Sequence, residues 1–282
     1  MTSITLPIIG QGSQPAEEDG VELEYLQMPQ EMATYAMPQV SPELAAADIS
    51  PAKALLKRLQ QHLNDFSGPA AGIDLTGLDA LNRRFIDEIL GEGEVSMICR
   101  GEPEARIQES VLAGVWRLQQ IDRQKHIVSD ALEVSIIPRF ILSSAFSAAA
   151  HQIDTAWDSL PPGVMNAPPL LAELNAKIAA YQPGGEPHII NLSLLPQTEQ
   201  DLQFLQQRLG LGPVTILSRG YGNCRISSTA SAYVWWVQYF NSDDTLILNT
   251  LEVSEIPSVA CASPEDIADS RQRLLEIMKV YL

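Results

Sequence analysis

The stretch LGLGPVTILSRGYGNCRISST (209–229) lies without a gap beneath LGEGEVSMICRGEPEARIQES (90–110), and that superposition decides the fold. Extended downstream, VWRLQQI meets VWWVQYF, and LEVSIIP (132–138) meets LEVSEIP (251–257). Identical pairs include Gly91/Gly210, Gly93/Gly212, Arg100/Arg219, Gly101/Gly220, Arg106/Arg225, Trp116/Trp235, Glu133/Glu252 and Pro138/Pro257. Chance does not sustain such agreement over 90–138 and 209–257 at one constant offset, so the chain contains an internal duplication.

Each copy has the same grammar. Leu78, Leu81, Phe85 and Ile89 in copy one, and Leu202, Leu205 and Leu209 in copy two, recur at helical spacing. The Leu-Gly-x-Gly that follows stops the helix, because glycine accepts the left-handed backbone of a C-cap. Three strand-like segments come next, 94–99, 105–118 and 126–137, matched by 213–218, 224–240 and 245–256. NSDD (241–244) supplies turn chemistry between the last two. A helix closes the unit; Ser263-Pro264-Glu265-Asp266 carries a Ser cap, Pro at the first helical position and an acid three residues after the cap.

The expected class is α+β: two α-β-β-β-α units with antiparallel sheets packed as a pseudo-dimer. Before copy one, Ser50-Pro51 is expected to cap a helix bearing Leu55, Leu59, Leu63 and Phe66 on one face. The domain reading is an acidic, Pro-containing N-terminal arm (1–50), the first repeat with its preceding helix (51–160), a linker with a short helix (161–187) and the second repeat (188–282).

The chain has 282 residues, 45% hydrophobic, and a formal charge of −17. That charge argues against nucleic acid, whose phosphates require a basic surface. Residues 1–50 hold eight Asp or Glu and no Lys or Arg, so an extended acidic arm is expected, either a solvated tail or a docking arm for a basic partner. No run is apolar for long enough to span a membrane, and the N-terminus lacks the basic start of a secretory signal. With three scattered cysteines and no CxxC, a cytoplasmic protein is the simplest reading.

SRGYGNCRIS (218–227) invites four chemistries. A phosphate cradle needs a helix N-terminus, whereas here strand leads to strand, and copy one carries acids in RGEPEAR. A nucleophile at Cys224 would gain from Arg219 and Arg225, yet copy one has Ala105 there and no histidine pairs recognisably with it. Cys224 therefore stands between a reactive thiol, a small residue beginning a strand, and a thiol touching a partner or a metal centre. No metal-ligand spacing occurs. Arginines and glycines shared by both copies read as frame, with Arg contacts to Glu133 or Glu252. Residues found only in copy two, Tyr221, Gly222, Asn223, Cys224 and Trp236, are the better guide to specialised function. Successive strand residues face opposite ways, so Trp235 is expected in the core and Trp236 at the surface. What remains is a protein that binds another protein.

LGLGPVTILSRGYGNCRISSTASAYVWWVQYFNSDDTLILNTLEVSEIP (209–257) resembles the signature of the HupH/HyaF (HoxQ-type) hydrogenase expression proteins, whose C-terminal region is duplicated. GQGSQPAEEDG near the start and GVMNAPPLLAEL in the middle resemble the same family. The resemblance implies a non-enzymatic accessory protein in maturation of a membrane-bound uptake [NiFe]-hydrogenase; no cofactor or metal is expected. It implies binding of the iron–sulfur small-subunit precursor before twin-arginine export, beside a thioredoxin-like partner of the HupG/HyaE type. The family's dense motif falls on Arg219, Tyr221, Gly222, Asn223, Cys224, Arg225, Trp235, Trp236, Asn249 and Glu252, which are the candidate partner-binding residues. The alternatives are an iron–sulfur or sulfur-handling carrier using Cys224, or a scaffold that holds only the thioredoxin-like partner.

Overall fold

The structure, a computed structural model, describes residues 37–45, 48–68, 72–220 and 222–281. Most of the acidic arm and Tyr221 lie outside the described residues. The helices are α1 (Pro42–Ala45), α2 (Ser50–Asn64), α3 (Ala80–Leu90), α4 (Arg139–Ser144), α5 (Ala167–Ala180), α6 (Glu199–Leu209) and α7 (Pro264–Tyr281). The strands are β1 (Ile73–Asp74), β2 (Val95–Cys99), β3 (Glu104–Glu109), β4 (Val115–Ile121), β5 (Ile127–Val134), β6 (His188–Asn191), β7 (Val214–Ser218), β8 (Asn223–Ser228), β9 (Val234–Phe240) and β10 (Leu246–Val253). The strand pairings within each unit are antiparallel, giving an α+β fold.

The described chain divides into two compact units, and neither is continuous in sequence. The first holds 37–144, 214–220 and 258–281, with strand order β1-β5-β4-β3-β2-β7 and α7 packed on α2. The second holds 145–213 and 222–257, with strand order β8-β9-β10-β6. Thus β7 and α7, which belong to the second repeat by sequence, are built into the first unit. The helix within 161–187 is more than a spacer: Ala167, Leu170, Leu171, Leu174 and Ile178 of α5 enter one core with Phe204 and Leu205 of α6 and Val234, Leu251 and Val253 of the sheet.

The duplication reaches individual hydrogen bonds. Gly93 N donates to Glu109 O as Gly212 N donates to Ser228 O. Val111 N to Leu90 O is matched by Ala230 N to Leu209 O, and Ser135 N to Gly114 O by Ser254 N to Tyr233 O. A Cβ at Gly93 would overlap the Ser110 carbonyl, and one at Gly212 would overlap Ser228 Oγ and crowd the Thr229 carbonyl. Both copies therefore require glycine for close backbone approach.

Several expectations change at the level of elements. The segments 105–118 and 224–240 are each two strands, not one. Between them Ser110 Oγ accepts from Leu112 N, Thr229 Oγ1 accepts from Ser231 N, and the backbone turns left-handed at Gly114 (φ 78°) and Tyr233 (φ 64°). With β1 and β6 added on β5 and β10, each repeat exceeds the α-β-β-β-α plan. Ser50 does not cap α2 with its side chain; Asp48 Oδ1 instead accepts from Ser50 N at 3.1 Å and Ser50 Oγ at 2.7 Å. Leu81 is exposed, and α3 buries Phe85, Ile86 and Ile89. Ser263 does cap α7, accepting from Asp266 N at 3.0 Å.

Helix α6 begins in a capping box, with Thr198 and Asp201 bonded reciprocally. The other carboxylate oxygen of Asp201 accepts from Met165, Asn166 and Ala167 N at 2.8–2.9 Å, anchoring the start of α5. Burial alone would raise the Asp201 pKa, but these amides outweigh it and hold the carboxyl below its usual range. At the equivalent place Asn82 Oδ1 accepts from Ala52 N of α2 at 2.9 Å.

Candidate functional site

The register of β8, β9 and β10 distributes the candidate residues over two faces. Cys224 stands opposite Tyr239, Ser228 opposite Trp235, and Trp235 opposite Glu252. Directly opposed side chains share a face, so Cys224, Trp235 and Glu252 lie together with Tyr239 and Thr250. Asn223 opposite Phe240 and Arg225 opposite Gln238 place Asn223, Arg225, Trp236 and Asn249 on the other face. Arg219 and Gly220 belong to the first unit, where Arg219 N donates to Glu94 O at 3.1 Å. There a Cβ at Gly220 would meet only the Glu94 carboxylate, the far end of a flexible side chain that can move aside. Gly222 has φ 96°, a conformation suited to glycine. The described candidates on β8, β9 and β10 therefore divide between two faces of the sheet.

On the first face Cys224 is fully buried. Burial pushes its thiol up to about 12, the Tyr239 hydrogen bond opposing and the Glu252 charge reinforcing the shift. Tyr239 is also raised to about 12, by burial and by the neighbouring Cys224 and Glu252. Burial raises Glu252 as well, partly offset by the Thr250 hydroxyl, which donates to Oε1 at 3.3 Å. A buried cysteine that is protonated throughout the neutral range is a poor nucleophile. This geometry weighs against the sulfur-handling alternative.

Trp235 packs edge-on to Phe146, ring centroids 5.0 Å apart. Its Nε1 finds no acceptor, whereas that of Trp116, its counterpart, donates to Ser135 O at 2.8 Å.

Trp236, expected at the surface, is half-buried. It packs against the core beneath α5 and α6, and its Nε1 donates to Asn249 Oδ1 at 2.6 Å. Asn249 N in turn donates to Ser193 Oγ at 2.9 Å. The reason appears in copy one, where the same positions are Arg117 and Asp130 and form a bidentate ion pair at 2.8–2.9 Å. At the equivalent strands copy two has an indole–amide hydrogen bond where copy one has a guanidinium–carboxylate pair. Arg225 stacks on Phe240, its Cζ 5.8 Å from the ring centroid. In copy one Arg106 meets Glu104 at 2.9 Å, and Glu133 accepts from Arg139 N at 3.0 Å.

Sequence reasoning passed over Tyr239 and Tyr233. Tyr239 could have been found by counting strand register outward from NSDD, where Asn241 N bonds Thr245 O. Tyr233 stacks on Tyr181 at 3.8 Å in a backbone position that copy one gives to glycine. Among the described residues no group of three His, Cys, Asp or Glu side chains is placed to hold a metal, and no helix is long and apolar enough to cross a membrane.

Residues 49–157 and 164–281 each match one conserved region, described as the HupH hydrogenase expression protein C-terminal conserved region. The chain belongs to the HupH hydrogenase expression protein family. The double match agrees with the duplication seen in sequence and in hydrogen bonding. Similar proteins include the hydrogenase expression/formation protein HoxQ of Cupriavidus necator, 44% identical over 99% of this chain and 98% of that protein. HupQ of Azotobacter chroococcum is 47% identical over 98% and 96% of the two chains. The hydrogenase-1 operon protein HyaF of Escherichia coli is 36% identical over 79% of each. Within a HupH-family chain, the paired differences between the copies, Arg117/Trp236, Asp130/Asn249 and Ala105/Cys224, mark where the two halves have diverged in packing.

Proposed function

We propose that this protein is a non-enzymatic accessory factor in hydrogenase maturation, and that it binds the iron–sulfur small-subunit precursor of a membrane-bound uptake [NiFe]-hydrogenase before twin-arginine export. Membership of the HupH family, whose relatives are named for hydrogenase expression and formation, is the observation that carries the reading. The charge of −17 supports it, since an acidic protein attracts a precursor presenting a twin-arginine segment at modest salt. The protein acts in the cytoplasm, its two repeats work as a pseudo-dimer, and the acidic arm assists docking. Copy two, with Tyr221, Asn223 and Arg225 around its turn, carries the specialised contacts, and a thioredoxin-like HupG/HyaE-type protein works beside it. Burial of Cys224 with its raised pKa favours protein binding over cluster or sulfur transfer.

Anaerobic affinity purification from cells expressing the hydrogenase operon tests this reading. A colourless complex containing small-subunit precursor with its signal peptide is expected. Recovery of the protein without that subunit, or as a stoichiometrically brown species, overturns it.

A further inference from the structure

Strand β6 pairs with β10 on one side only: His188 stands opposite Val253, Ile189 opposite Glu252, Ile190 opposite Leu251 and Asn191 opposite Thr250. Among the described residues no strand pairs with its other side. The chain then leaves the ladder in a 3₁₀ turn, Leu192–Leu194, whose Ser193 hydroxyl receives Asn249 N where a longer strand would have paired. Along this edge large apolar side chains face solvent: Ile189 is 53% exposed, Leu194 81%, Leu195 38% and Ile247 60%. Ile247 is displayed by a bulge in β10, between the paired residues Leu246 and Leu248. Natural sheets blunt their edges with lysine, inward charge or proline. Here Pro187 and Pro196 flank the segment, and no lysine stands between them.

We infer that this edge is a docking site for an extended segment of a partner protein, taken up as an added strand, with apolar residues at alternate positions and lysine or arginine beside them. The inference rests on the protein-binding reading above and assigns it a surface away from the RGYGNCR turn. The backbone groups of β6 that do not face β10 supply the ladder, and Ile189, Leu194 and Ile247 meet the alternate apolar side chains. Charge sets the rest of the partner's chemistry. In 145–213 and 222–257 ten carboxylates stand against three bases, Lys177, Arg208 and Arg225, a balance of −7. Arg208 is already paired with Asp154 at 3.0 Å, and Arg225 is stacked on Phe240. His188, at the start of the strand, is held by Glu173 at 2.7 Å. A second copy of this chain would bring another −17 to the same place, so a basic peptide is the occupant that charge favours.

The test uses the full chain and a synthetic peptide of roughly ten residues alternating Val or Leu with Lys. Titration calorimetry is run with this peptide and with one N-methylated at alternate amides, which cannot form the ladder. Binding of the first is expected, with loss of about tenfold or more on N-methylation and in Ile189→Gln/Ile247→Gln, and weakening with salt. Equal binding of both peptides, unchanged binding to the Gln variant or no binding overturns the inference. So does a self-dimer dissolved by the Gln substitutions, which would make a second copy the occupant. Co-purification of the small-subunit precursor with the same variant separates the two readings. Precursor bound equally by wild type and variant sinks the edge but leaves the proposed function. Peptide bound at the edge with no precursor captured by wild type does the reverse.

Discussion

Replacing Arg117 with Met removes a guanidinium that ties three elements together while keeping its apolar stem. Arg117 forks onto Asp130 of β5, through Nε at 2.9 Å and NH2 at 2.8 Å, and its NH1 meets Asp87 of α3. The Asp130 side chain is 1% exposed; without Arg117 it keeps Gln119 Nε2 at 3.3 Å and Arg83 NH1 at 3.8 Å. A buried carboxylate stripped of its bidentate partner costs about 3–5 kcal/mol, and the residual contacts place Arg117→Met near 3 kcal/mol. Urea unfolding should show this as a lowered midpoint with unchanged slope. Copy two suggests the rescue: Arg117→Trp with Asp130→Asn installs the Trp236–Asn249 pairing at the equivalent place. The double variant should lose at least about 1 kcal/mol less than the sum of its single variants. Loss of under about 0.5 kcal/mol in Arg117→Met, or strict additivity in the cycle, would refute the idea that these two pairs solve one structural problem.

Three further outcomes follow from the same geometry. Cys261, half-buried, should react with a thiol reagent before the buried Cys99 and Cys224; with its pKa near 12, Cys224 exposes only about one thiolate in ten thousand at pH 8, so fast labelling of Cys224 in native protein would contradict its burial. Glu109 is pushed up to about 7, chiefly by burial, with the Gly114 and Val95 amides opposing and the Glu94 and Asp266 charges adding. A carboxyl whose folded pKa is raised binds its proton more tightly in the native state, so its contribution is full below about pH 4.5 and is lost as pH rises through 7, by up to about 3 kcal/mol. Glu109→Gln should flatten that slope in pH-dependent unfolding; an unaltered slope would mean Glu109 does not hold its proton. Gly212→Ala drives a methyl group into Ser228 Oγ and against the Thr229 carbonyl and should cost about 1–3 kcal/mol, seen as a lowered thermal midpoint, whereas Gly184→Ala meets no neighbour within 4 Å and carries only the left-handed backbone cost.

The repeat was legible because duplicated packing leaves duplicated residues: Gly93 and Gly212 persist where a Cβ cannot fit. Capping was legible at Ser263, and the NSDD turn at Asn241, because both are local hydrogen-bond chemistry. The breaks inside 105–118 and 224–240 were not, since a serine or threonine hydroxyl makes them, and Tyr233 adopts a backbone angle its side chain does not advertise. Residence of β7 and α7 in the first unit depends on partners more than a hundred residues away, which no periodicity encodes. Within the site, adjacency in sequence is not adjacency in space. Cys224 and Arg225 are neighbours on one strand and therefore face opposite ways, and parity along β8 contained that fact. Alternation put Trp236 on the face opposite Trp235, but α5 and α6 cover that face too, so Trp236 is half-buried.

The placement of α7 sets a timetable for synthesis. Residues 145–213 and 222–257 of the second unit have all been made before 258–281 emerge, yet the first unit needs that later stretch to cover α2. The half of the protein translated first is thus completed only after the second unit's residues have been made, and its early helices must wait for α7. A chain stopped near residue 257 would keep β1 to β10 and still leave bare the α2 surface that α7 covers, an exposed apolar face of the kind that promotes aggregation.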